Sequence, residues 1–185
     1  LGMAEAGSLE KLERQLAAAL AEIGELKARE AIRDCIHRVC RGTDRVDADM
    51  LRSAFFPDAK VHFGKLYDGD VDGWIEVAIR HQGGQSQRQH MVGNILIRID
   101  GDKAVAESYE LDRHKTPMNG EVRDLVLAAR TLDRLACRNG EWKIVERTKV
   151  MDWGRAIEAS DGVYANSPLL RGGDDRSDPS YELLP

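Results

Sequence analysis

Apolar residues keep a helical period at the front of this chain and a period of two at the back, and that change of spacing limits the folds open to it. Leu9, Leu12, Leu16, Ala19, Ile23 and Leu26 advance by alternating steps of three and four, which is a heptad seam. Ser8 stands where it can cap the start. So short a seam is marginal as a free helix, so it predicts packing on the chain's own domain or on a second copy. Ile32, Cys35, Ile36 and Val39 form the apolar face of a second helix, about Ala28 to Arg41, closed by Gly42 and Thr43. Asp47 or Asp49 caps a short third helix carrying Met50, Leu51, Ala54 and Phe55, and Pro57-Asp58 stops it.

The period then switches. Lys60 to Phe63 alternates as a strand, Asp70 to His81 returns to helical spacing, and Gly83-Gly84-Gln85-Ser86 is a polar loop. The strands His90–Ile99 and Lys103–Leu111 flank the hairpin signal Asp100-Gly101-Asp102. Lys115 to Gly120 reads as a longer turn. Val122–Cys137 and Trp142–Met151 flank Asn139-Gly140, the strongest two-residue hairpin signal present. Beyond Trp153 the periodicity fades, and Arg171 to Pro179 has the composition of a linker. Tyr164, Leu169, Leu170 and Tyr181 would let this tail lie as an arm on a neighbour. The order predicts an α+β fold, a curved antiparallel sheet closed on one face by N-terminal helices around a pocket. It divides the chain into a lid or oligomerisation helix (1–27), a sheet domain (28–153) and a C-terminal extension or arm (154–185).

Composition excludes several classes. With 185 residues, 42 % hydrophobic and 32 % charged, the chain can bury a real core. A net charge of −5 without a basic run argues against nucleic acid as a partner, since phosphate neutralisation needs clustered cations. No apolar window is long enough to span a membrane. Leu1 to Glu5 lacks the charged-then-apolar order of a secretory leader, and Cys35, Cys40 and Cys137 make no disulfide framework. A cytoplasmic location and buried thiols are therefore expected.

No P-loop, dinucleotide fingerprint, HExxH or GxSxG motif occurs. His37, His62, His81, His90 and His114 are not spaced as metal-ligand pairs, so no metal is expected, although spacing leaves a site assembled across strands open. Asp44 follows the second helix and His90 opens a strand, where counting by two puts His90, Val92 and Asn94 on one face. An Asp that accepts from one imidazole nitrogen fixes the tautomer and leaves the other nitrogen as a base. The plainer alternative is a solvated helix-end Asp and a rim His. Tyr109 shares a strand face with Glu107, while Ser108, Glu110 and Asp112 share the opposite one; either Tyr109 or Glu110 enters the pocket. Trp142 belongs in the core, Trp74 and Trp153 in a pocket or interface, and His37 can project into the pocket from its helix. His62, His81 and His114 read as surface or rim residues.

Six segments in order carry a family resemblance: Ile32-Arg33-Asp34 through Thr43-Asp44-Arg45-Val46-Asp47, Phe55-Phe56-Pro57-Asp58-Ala59, His90-Met91-Val92-Gly93-Asn94, Asp100-Gly101-Asp102-Lys103-Ala104, Ala129 to Arg134, and Asn139 to Ile144. Over Lys27 to Trp153 the chain resembles the SnoaL-like superfamily, the cone-shaped fold shared with scytalone dehydratase and hexachlorocyclohexane dehydrochlorinase. The resemblance implies a cofactor-free site in which Asp44 and His90 abstract a proton. Arg130 corresponds best to the family's strand arginine, with Arg134 on the same face, and Asn94 would help Arg130 stabilise negative charge. Thr131-Leu132 stands where the family often has an aromatic. Val39 stands where some dehydratase relatives have a Tyr, a role Tyr67 or Tyr109 would have to fill. The superfamily also includes a lyase that removes formaldehyde from lignin-derived diarylpropane diols. The implied function is a cofactor-independent lyase that eliminates water, formaldehyde or another small group from an apolar, aromatic small molecule. The alternatives are an isomerase, a small-molecule binding protein, or an accessory subunit of a ring-hydroxylating oxygenase. The seam and tail together predict a homo-oligomer, a trimer or dimer.

Overall fold

The structure, a computed structural model, describes residues 2–83 and 86–183. Leu1 and the Gly84-Gln85 part of the expected polar loop lie outside the described residues. One continuous helix, α1 (Gly2–Asp44), covers the span read as two. Nothing in Lys27-Ala28-Arg29-Glu30 breaks a helix, and Arg29 pairs with Glu25 at 2.7 Å across the expected junction. Gly42 does not end the helix either. It admits α2 (Ala48–Ser53), because a Cβ there would lie 2.9 Å from both Leu51 Cγ and the Leu51 nitrogen. Asp47 caps α2 by accepting from the Met50 N–H at 2.9 Å.

The next element, β1 (Phe55–His62), begins earlier than alternation suggested. Pro57 and Asp58 fall in the register break between Phe55 and Lys60, where a missing N–H costs no ladder bond. A short β2 (Asp68–Asp70), unforeseen, leads into α3 (Val71–Gly83). Four long strands follow: β3 (Ser86–Asp100), β4 (Lys103–Met118), β5 (Glu121–Arg138) and β6 (Glu141–Glu158). The sheet order is β2-β1-β6-β5-β4-β3, antiparallel throughout except where β1 runs parallel to β6. Lys115 to Met118 is strand, not turn. The reversal is confined to Asn119-Gly120, which like Asn139-Gly140 has positive φ at both residues, the geometry of a two-residue hairpin.

Four insertions rephase the antiparallel ladders, the first of them in β3 between the Ser86–Lys115 and Gln89–Arg113 pairs. In β3, Gly93 faces Tyr109 but Leu96 faces Glu107, so one extra residue is inserted near Asn94, whose φ is +48°. Before it His90 and Val92 look inward, and after it Ile95, Ile97 and Ile99 do. In β6, Val145 is the extra residue between the Ile144–Leu135 and Glu146–Arg134 pairs, so Ile144, Arg147 and Lys149 share the inner face. Asp152 is a second insertion further along β6. The core packs Ile32, Cys35, Ile36 and Val39 of α1 on Ala104, Ala106, Leu135 and Ile144, with Val71 and Ile75 of α3 alongside. Cys35 and Cys40 are buried as expected, and Trp142 packs against this core.

Part of the tail is anchored, while Leu169 and Leu170, named above for an arm on a neighbour, stay exposed. The anchored part folds back on its own chain, with Asp178 and Tyr181 buried. The Tyr181 hydroxyl donates to Asp47 at 3.0 Å, Arg88 pairs with Asp174 at 3.2 Å, and Lys115 pairs with Asp161. Asp178 accepts from Ser180 and from the Gly173 and Ser180 N–H groups, which hold its carboxyl down to about 2. No helix among the described residues is long and apolar enough to cross a membrane.

Candidate active site

The burial stripe of α1 ends by setting Asp44 over the inner face of β3. There the carboxylate holds His90 twice. Oδ1 lies 2.7 Å from the ring nitrogen Nδ1, and Oδ2 accepts the His90 backbone N–H at 3.1 Å. Arg88 donates to the Asp44 carbonyl at 3.1 Å, which satisfies one of the open carbonyls at the helix end. Both side chains of the pair are largely withdrawn from solvent, at 9 % exposure for His90 and 15 % for Asp44. With Nδ1 turned to the carboxylate, Nε2 is the nitrogen left for a ligand.

His90 opens on a cavity of about 370 Å³ between α1, α3 and the sheet. Val39, Phe63, Trp74, Met118, Leu125 and Leu127 are among its apolar walls. Its floor is charged. From β4 come Glu110, Asp112 and His114, and from β6 Arg147 and Lys149. Lys149 Nζ lies 2.7 Å from Glu110 and 2.6 Å from Asp112. Arg147 makes two parallel bonds of 2.7 Å to Asp133, both partners fully buried. Ser108 and Thr131 share a hydrogen bond of 2.6 Å, and Thr131 donates to Glu110 at 3.3 Å.

These charges decide each other's ionisation. Burial works to raise the Glu110 carboxyl, but the Lys149 and Arg147 cations outweigh it and hold the group below the usual carboxylate range. For Asp112 burial prevails over Lys149 and lifts the carboxyl above that range. Burial disfavours the Lys149 ammonium, yet its two carboxylates more than compensate and keep it charged. Cys40, beside the cavity, has its thiol pushed up to about 12, chiefly by burial, and is inert as a nucleophile at neutral pH. His114 is pushed down to about 3 by burial first, then by the His90 ring and Lys149, so it is neutral.

A stability profile follows from His114. The unfolded residue titrates at its ordinary 6.5. Between that value and about 3 the unfolded chain binds a proton that the folded chain refuses. Stability from this group is therefore complete above pH 6.5 and falls as pH drops through the window, by up to roughly 1.4 kcal/mol per pH unit. Thermal melts of wild type and His114→Gln should converge toward the acid end; two parallel curves would refute this account.

Several sequence-derived candidates stand elsewhere. Arg130 lies on the outer face, tied to Glu107 at 3.0 Å and Asp152 at 2.9 Å, because the inward positions of β5 are Ala129, Thr131 and Asp133; Arg134 also points out. Asn94 sits in the bulge and is exposed, not on the face of His90. Tyr109 is 45 % exposed, so of the Tyr109/Glu110 choice Glu110 is the residue that enters. Tyr67 gives its hydroxyl to the Asp70 carbonyl at 2.7 Å and backs Trp74, away from the cavity lining. His37 is exposed. Trp74 does line the cavity and Trp153 is half exposed on the outer face. Exposed His62 pairs with Asp68 at 2.9 Å, His81 stands at the cavity rim, and His114 is buried, against expectation. Lys149, Arg147 and Asp133 were missed entirely. Nothing local marks Arg147 and Lys149 among the other charges of β6, and the Val145 bulge hides the phase that aims them inward.

A sequence profile described as a SnoaL-like domain matches residues 24–148, most of the helix–sheet unit. The chain belongs to the SnoaL-like family. Among solved structures, that of LinA superposes with a TM-score of 0.66 at 19 % identity, covering 75 % of this chain and 97 % of LinA. A hexachlorocyclohexane dehydrochlorinase, LinA-type3 from Novosphingobium barchaimii, gives 0.64 at 18 % identity over 75 % and 96 % of the two chains. A candidate scytalone dehydratase from Novosphingobium aromaticivorans gives 0.65 at 18 % identity over 75 % and 93 %. At such identities these SnoaL-like neighbours share the fold. No curated protein matches the chain by sequence.

Proposed function

We propose that this SnoaL-like chain is a cofactor-independent lyase for an apolar, aromatic small molecule. The reading rests on one observation, the 2.7 Å Asp44–His90 contact at the edge of an apolar-walled cavity that also holds a lysine. His90 Nε2 takes a proton from a carbon of the substrate. Asp44 accepts from Nδ1–H, fixing the tautomer and stabilising the imidazolium that forms. For water or another group that leaves as an anion, the electrons of the broken C–H bond form a double bond as the group departs with its own pair; for formaldehyde the proton comes instead from a hydroxymethyl O–H, whose electrons form the C=O while the C–C pair becomes the double bond and the hydroxyl on the neighbouring carbon leaves. Lys149 spends two of its three N–H donors on Glu110 and Asp112 and has a third for the leaving atom. Lys149 and Arg147 thus take the anion-stabilising part that the resemblance assigned to Arg130 and Asn94. Phe63 and Trp74, 4.2 Å apart between ring centroids, suit an aromatic ring. The relatives' names, dehydrochlorinase and dehydratase, denote eliminations.

A panel of lignin-type diarylpropane diols and other aromatic alcohols tests the reading by product mass. Loss of water or formaldehyde supports it. A product of unchanged mass makes the protein an isomerase, and binding without turnover makes it a binding protein.

We also propose that the chain works as a homo-oligomer, a trimer or dimer. Leu9, Leu12, Leu16, Ile23 and Leu26 of the heptad seam, with Leu20 beside it, are each at least 47 % exposed in the single chain, a seam without cover. Its 3-4 spacing suits the same helix of a second copy. Removing the residues before Lys27 is expected to lower the mass in solution by sedimentation; an unchanged assembly would mean the seam has no such partner.

A further inference from the structure

The cavity floor holds more ligating chemistry than proton abstraction uses. His90 on β3 stands directly opposite Asp112 on β4, and His114 follows Asp112 by two residues on the same face. One ligand atom from each of the three lies within 4.8 Å of those of the other two. The two imidazoles meet edge to face with ring centroids 4.9 Å apart. Ions of the Zn²⁺ class take imidazole and carboxylate at about 2.0–2.2 Å, so small side-chain rotations would close the three donors on one ion. Two histidines and one carboxylate leave coordination positions open to the cavity.

Three further observations favour an ion there. Asp112 Oδ1 is buried and accepts no hydrogen bond among the described residues, while Oδ2 is held by Lys149. A buried carboxylate oxygen without a donor is costly, and a cation is the partner it lacks. The other potential ligand, His90, is oriented by Asp44 through Nδ1, the carboxylate–histidine arrangement that supports metal-bound imidazoles. Charge agrees as well. Arg147 and Asp133 cancel each other, which leaves the carboxylates of Asp44, Glu110 and Asp112 against the single ammonium of Lys149. With neutral imidazoles the excess is two negative charges, the charge of one divalent ion. Lys149 opposes such an ion, but it stands on the far oxygen of Asp112 and can remain there as the ligand's outer hydrogen bond.

We infer that His90, Asp112 and His114 form a binding site for a divalent transition-metal ion of the Zn²⁺ type, and that this ion competes with the substrate proton for the same nitrogen of His90. The ion is thus a reversible inhibitor of the lyase. The competition rests on the base role proposed for His90; the binding does not.

Zn²⁺ and Co²⁺ added to the chelator-treated full chain test this directly. Calorimetry should show one equivalent of Zn²⁺ bound, and Co²⁺ should develop the visible absorption of a low-coordinate nitrogen and oxygen site. His114→Ala and Asp112→Asn should each weaken binding at least about ten-fold, with Asp44→Asn in the range of about 10–100-fold. His62→Ala, altering an exposed histidine, should bind as wild type. In the wild-type chain, proton–nitrogen spectra of the imidazoles should show Zn²⁺ shifting the His90 and His114 rings. That measurement holds even if a variant does not fold. Absence of stoichiometric uptake, or shifts confined to His37, His62 and His81, overturns the site. Uptake without loss of turnover overturns the competition alone. Turnover that survives His90→Ala overturns the base role and leaves the metal site standing.

Discussion

Replacing His90 with alanine is expected to lower turnover by about 10²–10⁴-fold while the protein melts within a few degrees of wild type. His90 lies at the cavity edge, outside the aliphatic core, so its loss removes the proton acceptor without opening a void among Ile32, Ile36 and Ile144. Asp44→Asn should lose turnover in the same direction. An amide in place of Oδ1 or Oδ2 turns a donor toward one of the two N–H groups that the carboxylate now accepts, so the tautomer and the ring orientation are lost together. The loss belongs in kcat more than in KM, because the imidazolium exists only as the proton moves. If both purified variants turned over a diol or other aromatic alcohol at the wild-type rate, the Asp44–His90 mechanism would be wrong.

The largest stability effect is expected from Asp133→Ala. It leaves the Arg147 guanidinium buried without its carboxylate, at a cost of about 3–5 kcal/mol. For a chain of this length that corresponds to a melting temperature lower by roughly 10 °C. The double variant Asp133→Leu/Arg147→Met should recover most of the loss, since two apolar side chains of similar volume replace two desolvated charges. A single variant that melts with the wild type would show that the pair contributes nothing net to the fold. A double variant as unstable as the single one would show that Arg147 is needed for more than pairing, with Glu110 the neighbour it also neutralises.

Much of the architecture was legible because it is written in local chemistry. Asn139-Gly140 forms a tight reversal wherever it stands, since both residues tolerate positive φ, and the strands on either side follow from alternation. Strand ends were not legible. Lys115 to Met118 and Trp153 to Glu158 carry turn-like or irregular sequence, yet both are paired, because β5 extends far enough to supply their hydrogen bonds. The same limit explains the helix count: Lys27 to Glu30 carries no stop, and only a preference for short elements divided α1.

For the site, Asp44 and His90 could be nominated from sequence because one ends a helix and the other stands near the start of a strand, ahead of the bulge at Asn94. Asn94 could not be placed, because one inserted residue inverts the face of everything after it. Lys149 and Arg147 were hidden by the same device in β6. Arg130 was misjudged because an arginine flanked by Ala129 and Thr131 shows no sign of which parity is inward until β4 and β6 are laid beside it.

The sequence by itself determined the order of helices and hairpins and the family, since period, turn residues and caps act within a few residues of chain. Only the tertiary structure decided which charges share the cavity. His90, Asp112, His114 and Lys149 come from three strands, and their meeting depends on register and bulges, which arise between strands and not within them.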